Sequence, residues 1–94
     1  MTTLERAIET YGKDMQLTVA IEEFSELTKE ICKHRRGADN IDNIVEEMAD
    51  CYIMLEQLEI IFGLNNLDID VIQYAMEKKL DRLEQRLDER SKNG

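Results

Sequence analysis

The segment from Ile41 to Gly63, IDNIVEEMADCYIMLEQLEIIFG, decides the fold class. Its first half repeats apolar residues every three or four positions, which is the spacing of one face of an α-helix. Its second half carries apolar side chains in nearly every direction, at Ile53, Met54, Leu58, Ile60, Ile61 and Phe62. A helix that is apolar all round is buried on several sides, and a chain of 94 residues offers little to bury it. We therefore expect this helix to pack against a second subunit.

Glycine and helix-capping residues divide the rest of the chain into further helices. Proline is absent, and the segments between the glycines are rich in good helix formers. The second helix has a regular apolar stripe at Leu17, Ala20, Ile21, Phe24, Leu27 and Ile31. The first two predicted helices run from Thr3 to Tyr11 and from Lys13 to Arg35. The third starts after Asp39 or Asn40 and runs to Phe62, and the fourth starts near Asn66 or Asp68 and runs to about Lys92.

Short connections between such helices favour antiparallel packing of neighbours. The fourth helix carries a coiled-coil-like apolar seam at Ile72, Met76, Leu80, Leu83 and Leu87. The sequence therefore predicts an all-α fold: a small antiparallel helical bundle, one domain over residues 1–94, completed by association into a homodimer or homotetramer.

The charge of the chain excludes some partners. With 21 acidic and 12 basic residues, the formal net charge is −9. Nucleic acids and anionic membranes need basic surfaces, so neither is expected as a partner. The sequence has no signal peptide and no transmembrane run, and its two cysteines, Cys32 and Cys51, are expected to be reduced thiols. We therefore expect a cytoplasmic protein.

Two pairs of acidic residues stand out on the second and third helices. Glu23 and Glu26 are three residues apart, as are Glu47 and Asp50, so each pair shares one helix face. At ~100° per residue, each pair holds about the same angular position beside its own apolar stripe. Two antiparallel helices could therefore direct four carboxylates at one point.

Four converging carboxylates repel one another unless a cation neutralises them, and oxygen ligands suit Mg²⁺ or Mn²⁺. The alternative is that these acids are ordinary solvated surface, which is common for this spacing. Against it, the face of Glu47 and Asp50 continues into the apolar residues Met54 and Leu58. The chain has one histidine, no cluster of zinc ligands and no Gly-rich phosphate loop, which argues against di-iron, zinc and P-loop chemistry.

The arrangement Glu23-x-x-Glu26, twenty intervening residues, and Glu47-x-x-Asp50 resembles the motif of the all-α nucleoside triphosphate pyrophosphohydrolases of the MazG-like kind. The resemblance covers residues 16–62. It implies that the four acids bind Mg²⁺, with Mn²⁺ as a substitute. It also implies that a nucleoside or deoxynucleoside triphosphate is hydrolysed to monophosphate and pyrophosphate, and that the working unit is at least a dimer. Some relatives remove unwanted nucleotides from the cellular pool.

Further residues are candidates for catalysis or for phosphate binding at the site. Glu22 and Glu46, next to the metal ligands, are catalytic candidates that position water. Lys33 and Arg36 are candidates for phosphate contacts, although cations at a helix C-terminus are also explained by the helix dipole. Relatives carry Lys-x-x-x-Asn-x-x-Arg on the fourth helix, which matches Lys79 and Arg86 except that Leu83 replaces the Asn. The alternative for these two residues is an outer face of paired charges.

Two questions stay open at this point. Gln16 lies two helical turns before Glu23 on the same side, where it contacts a nucleobase or is simply polar surface, and the sequence favours polar surface. The whole chain, in turn, is an enzyme or a non-catalytic helical oligomer that acts as a nucleotide sensor or scaffold.

Overall fold

The computed structural model describes residues 1–93 and confirms the all-α prediction. No strand occurs in this part of the chain. The four α-helices are α1 (Thr3–Tyr11), α2 (Lys13–Arg35), α3 (Ile41–Ile61) and α4 (Val71–Asn93), with a 3₁₀ turn at Leu64–Asn66. None of these helices combines the length and the apolar character needed to cross a membrane.

The ends of α1 and α2 follow from local chemistry and agree with the prediction. The hydroxyl of Thr2 accepts a hydrogen bond from the backbone N–H of Glu5 at 3.2 Å and so caps α1. Gly12 has φ +90°, a conformation that glycine adopts without strain, and this single residue ends α1 and starts α2. The two helices are therefore joined by a single residue.

The start of α4 was predicted too early. Asn66 and Asp68 were the expected caps, but Asn66 lies in the 3₁₀ turn and α4 begins at Val71. The carboxylate of Asp70 accepts a hydrogen bond from the backbone N–H of Gln73 at 3.0 Å. Asp70 therefore provides the side-chain cap, and three residues of similar capping chemistry within five positions made the boundary ambiguous from sequence.

The chain forms two compact units, Met1–Gly63 and Leu64–Gly94. In the first unit, α2 and α3 pack together along their lengths and α1 packs on both. Two contacts fix an antiparallel register: Cys51 on α3 lies at the level of Glu23, and Asn40, which precedes α3, lies at the level of Glu30. In the second unit, the predicted apolar seam of α4 is exposed.

The interior of the first unit contains few hydrophobic side chains. Among the described residues, Ala20 and Cys51 are the only buried hydrophobic ones. Leu17, Phe24 and Leu27 are half-buried, whereas Ile21 and Ile31 of the predicted stripe are exposed. The two isoleucines lie outside the face of α2 that turns toward α3. The face that is least exposed carries Gln16, Ala20, Glu23, Leu27 and Glu30, so the predicted stripe is displaced around the helix.

Candidate metal centre

Glu23 and Glu47 lie on the packed faces of α2 and α3. On α2, the spacing of the least exposed residues alternates between four and three, and this spacing includes Glu23. On α3, the corresponding side carries Ile44, Glu47, Cys51, Met54 and Leu58, all buried or half-buried. Glu23 and Glu47 are therefore partly removed from water by the pairing of the two helices.

Three carboxylates converge between the helices. Glu23, Glu47 and Asp50 each offer one oxygen, and the three oxygens lie within 4.8 Å of one another. One oxygen of Glu47, Oε2, is buried and has no hydrogen-bond partner. Buried polar atoms in native proteins are nearly always paired, so this oxygen is a position at which a cation would find an unused ligand atom.

The electrostatics of the cluster favour protonation when no cation is bound. Burial raises the pKa of Glu23, and a hydrogen bond to Asp50 and the negative charges of Asp50, Glu47 and Glu26 raise it further. Burial also raises the pKa of Glu47, followed by repulsion from Asp50 and Glu26. A cation between these groups would reverse both effects because it stabilises the ionised form.

The donor atoms fit a hard divalent cation. Cys51 is the one thiol near the cluster, and its Sγ donates a weak hydrogen bond to the backbone oxygen of Glu23 at 3.5 Å. Burial and the nearby carboxylates raise the pKa of Cys51, so the thiol stays protonated and is a poor metal ligand. The site therefore offers oxygen ligands only, which suits Mg²⁺ or Mn²⁺ better than zinc.

The remaining predicted acids lie at the edge of the cluster. Glu26 is exposed and is not among the three residues whose oxygens converge, although its charge reaches both Glu23 and Glu47. Glu22 and Glu46 are exposed, and the charge of Glu46 contributes to the raised pKa of Glu47. The structure thus brings together three of the four predicted ligands and leaves Glu26 next to them.

Two of the predicted phosphate-binding residues lie at the C-terminal end of α2, and the other two lie on α4. The ammonium group of Lys33 lies 3.3 Å from Oε1 of Glu30, so this side chain already has an anionic partner. Arg36 follows the last residue of α2 and is exposed. Lys79 and Arg86 are exposed on α4, in the second unit.

A polar clamp at the end of α2 was not anticipated from the sequence. The amide nitrogen of Asn40 donates to Oε2 of Glu30 at 2.6 Å and to the backbone oxygen of Glu30 at 2.9 Å. Asn40 precedes α3 but makes no side-chain capping bond to it. The hydrogen bond from Asn40, followed by the contact with Lys33, lowers the pKa of Glu30. The clamp ties the loop between α2 and α3 to α2 and so fixes the helices that carry the acids.

Two buried glutamines were also missed. Gln57 is 2% exposed and Gln16 is 7% exposed, so the interpretation of Gln16 as polar surface is wrong. Oε1 of Gln57 has no hydrogen-bond partner. One signal was present in the sequence: Gln16, Glu23 and Glu30 are seven residues apart in turn, as are Asp50 and Gln57. Polar residues at a strict seven-residue spacing share a helix face with acids of the cluster.

Comparison of the chain with protein-family models, with curated proteins and with solved structures finds no match.

Proposed function

We propose that this chain is a Mg²⁺-dependent nucleoside triphosphate pyrophosphohydrolase, which converts a nucleoside or deoxynucleoside triphosphate to the monophosphate and pyrophosphate. The observation that carries the proposal is the convergence of Glu23, Glu47 and Asp50 within 4.8 Å, with one buried oxygen of Glu47 unpaired. The spacing of these acids, which resembles that of MazG-like enzymes, supports the same assignment. A role in clearing unwanted nucleotides would fit this activity.

A cation explains how so acidic a protein could hold a triphosphate. The chain carries a formal net charge of −9, and a triphosphate would meet repulsion at a bare carboxylate cluster. Glu23, Glu47 and Asp50 would hold Mg²⁺, and Glu26 could complete the set because its charge already reaches two of them. When bound, the ion supplies charge neutralisation at the phosphate oxygens and lowers the pKa of a coordinated water.

The exposed acids beside the cluster are suited to proton transfer. Glu22 and Glu46 each adjoin a proposed ligand along the chain and remain in contact with solvent. A carboxylate in that position can accept a proton from the attacking water and orient it. The basic residues Lys33, Arg36, Lys79 and Arg86 are the proposed phosphate contacts, and Lys33 would have to exchange its contact with Glu30 for one with substrate.

Exposed apolar side chains support self-association. Within the first unit, Tyr52 is 65% exposed, and Val45, Met48 and Leu55 of the same helix are also exposed. Leu27, Met48, Cys51, Tyr52 and Leu55 line an apolar groove between α2 and α3. Apolar surface of this extent is typical of protein interfaces, so we propose a homodimer or homotetramer. The free thiols of Cys32 and Cys51 fit a reducing cytoplasm.

The test is pyrophosphate release from a panel of standard and modified nucleoside triphosphates, with Mg²⁺ and with EDTA. Wild type should release pyrophosphate only with the metal. The kcat of Glu47→Gln should fall at least ~100-fold, because the variant lacks a carboxylate that would hold the metal, and the metal stabilises charge that develops in the transition state. Glu56→Gln, an exposed carboxylate on the same helix, is the matched control and should keep wild-type activity.

The alternative function is a nucleotide sensor or scaffold built on the same helices. A folded oligomer that releases no pyrophosphate from any nucleotide would exclude the hydrolase. If Mg²⁺ and a nucleotide still raised its melting temperature, the sensor would be supported; if neither did, a scaffold would remain.

A further inference from the structure

The buried glutamines of the first unit need an explanation that packing does not give. Gln57 has the most completely buried side chain of the described residues, and its Oε1 accepts no hydrogen bond. An unpaired buried amide destabilises a fold, whereas a leucine of similar size would fill the same space without that loss. An unpaired buried polar group is rare in a native protein and requires a specific explanation.

The register of the helices relates the glutamines to the acids. Gln16 precedes Glu23 by seven residues on α2, and Gln57 follows Asp50 by seven residues on α3. Because the two helices are antiparallel and Glu23 lies at the level of Asp50 and Cys51, both glutamines lie on the same side of the cluster, ~10 Å along the helix axes. The hydrogen-bonding edge of a nucleobase and the phosphates of the same nucleotide are separated by a length of that order.

The short helix α1 covers this end of the pair. It packs on both α2 and α3 and is joined to the start of α2, the helix that carries Gln16, by Gly12 alone. Leu4, Ala7 and Ile8 are half-buried, and no side chain of α1 is fully buried. A helix of nine residues is marginal alone, and this one is held by few contacts and joined by one glycine. Moving α1 aside would expose three half-buried side chains and no fully buried one.

We propose, on the basis of the hydrolase function above, that Gln16 and Gln57 bind the hydrogen-bonding edge of the nucleobase and determine which base is accepted. Each amide both donates and accepts, which matches the adjacent N–H and acceptor atoms of a purine or pyrimidine edge. Oε1 of Gln57 accepts a hydrogen bond from an N–H of the base. Displacement of α1 admits the base, and the nucleotide then spans from the glutamines to the carboxylate cluster.

The chemistry of this site predicts strong discrimination. A buried amide that needs a hydrogen-bond partner rejects an analogue lacking that partner more effectively than an apolar pocket rejects a change of size. A purely structural glutamine predicts something else: its loss would lower stability and would weaken the binding of every nucleotide equally.

The experiment is equilibrium binding of nucleoside monophosphates with different bases to wild type, Gln57→Leu and Gln16→Leu, each followed by a melting curve. Wild type should prefer one base, and each variant should reduce the ratio between the best and the worst base by roughly tenfold or more. Gln57→Leu should melt at or above the wild-type temperature. Gln57→Met is the second variant if leucine disturbs the fold, and Gln85→Leu, an exposed glutamine on α4, is the control.

Binding and turnover separate this inference from the proposed function. An unchanged base preference in Gln57→Leu, an equal loss for all bases, or the absence of any base preference in wild type would overturn the role of the glutamines, whatever the pyrophosphate assay shows. Base preference that depends on Gln57, in a protein that releases no pyrophosphate, would support the role of the glutamines and exclude only the hydrolase.

Discussion

Replacing Glu23 by Gln should make the metal-free protein more stable at neutral pH. The oxygen of Glu23 lies within 4.8 Å of oxygens of Glu47 and Asp50. At that distance, two like charges repel by about 0.9 kcal/mol even with the dielectric constant of water. Two such neighbours give a total of about 1–2 kcal/mol after allowance for partial protonation. For a domain of this size, that free energy raises the melting temperature by roughly 5–10 °C.

Mg²⁺ should reverse the difference in melting temperature, so that wild type melts above Glu23→Gln. A metal that binds the native state at about 100 times its Kd stabilises it by about 2.7 kcal/mol, and Glu23→Gln should lose most of this gain because it lacks one ligand. The variant can still donate a hydrogen bond to Asp50, so the local packing is kept. The assay is thermal melting at one fixed protomer concentration, with Mg²⁺ and with EDTA, because association makes melting temperatures depend on concentration.

The pH dependence supplies an internal check. The pKa of Glu23 is raised, so its contribution to stability is present below the usual carboxyl pKa and is lost as pH rises through the raised value. The advantage of Glu23→Gln should therefore be clear at pH 7.5 and should vanish near pH 4, where wild type is protonated at this position. Glu22→Gln, an exposed neighbour on α2, is the control and should change stability by less than about 0.5 kcal/mol. A metal-free Glu23→Gln protein that melts at or below wild type at pH 7.5 would refute the argument from repulsion.

Two further predictions concern substitutions of residues in the first unit. Asn40→Ala removes the bonds to Glu30 and should lower the melting temperature by roughly 4–8 °C at pH 7. Because the pKa of Glu30 is lowered, this deficit should shrink as pH falls through that lowered value, and an equal deficit in acid would contradict the clamp. Tyr52→Glu places a charge on the exposed apolar surface of α3 and should shift the sedimenting species toward the monomer, with Glu56→Gln as control. An unchanged oligomer in Tyr52→Glu would place the subunit contact elsewhere.

The helices were predictable because their signals are local. Gly12 and Thr2 act within one turn of their own positions, and the predicted bounds of α1 and α2 agree with the structure. The predicted start of α4 was wrong because Asn66, Asp68 and Asp70 have similar capping chemistry. The choice among them depends on the path of the chain after α3, which the local sequence does not contain.

The acid cluster was partly predictable, since the pairs share angular positions on their helices. The burial of the side chains around the cluster was not predictable from the sequence. The apolar periodicity of α2 predicts that its stripe faces inward. In the structure, Gln16, Glu23 and Glu30 face inward, and Ile21 and Ile31 are exposed. Helical periodicity gives the angle between residues on one helix. It does not give the absolute direction of the neighbouring helix when apolar residues lie on more than one side, as they do here.

That inward placement of polar groups connects stability to function. Between α2 and α3, the buried hydrophobic side chains among the described residues are Ala20 and Cys51, while Glu23, Glu47 and the unpaired amide oxygen of Gln57 lie in the same packed faces. Such a helix pair gains little from apolar burial and loses stability through its buried acids. A cation at the carboxylates, a base at the glutamines and a second subunit on the exposed face of α3 would each relieve a different part of that loss. Because ligands that bind only the native state stabilise it, binding and folding should be coupled in this protein more strongly than in a domain with a hydrophobic interior.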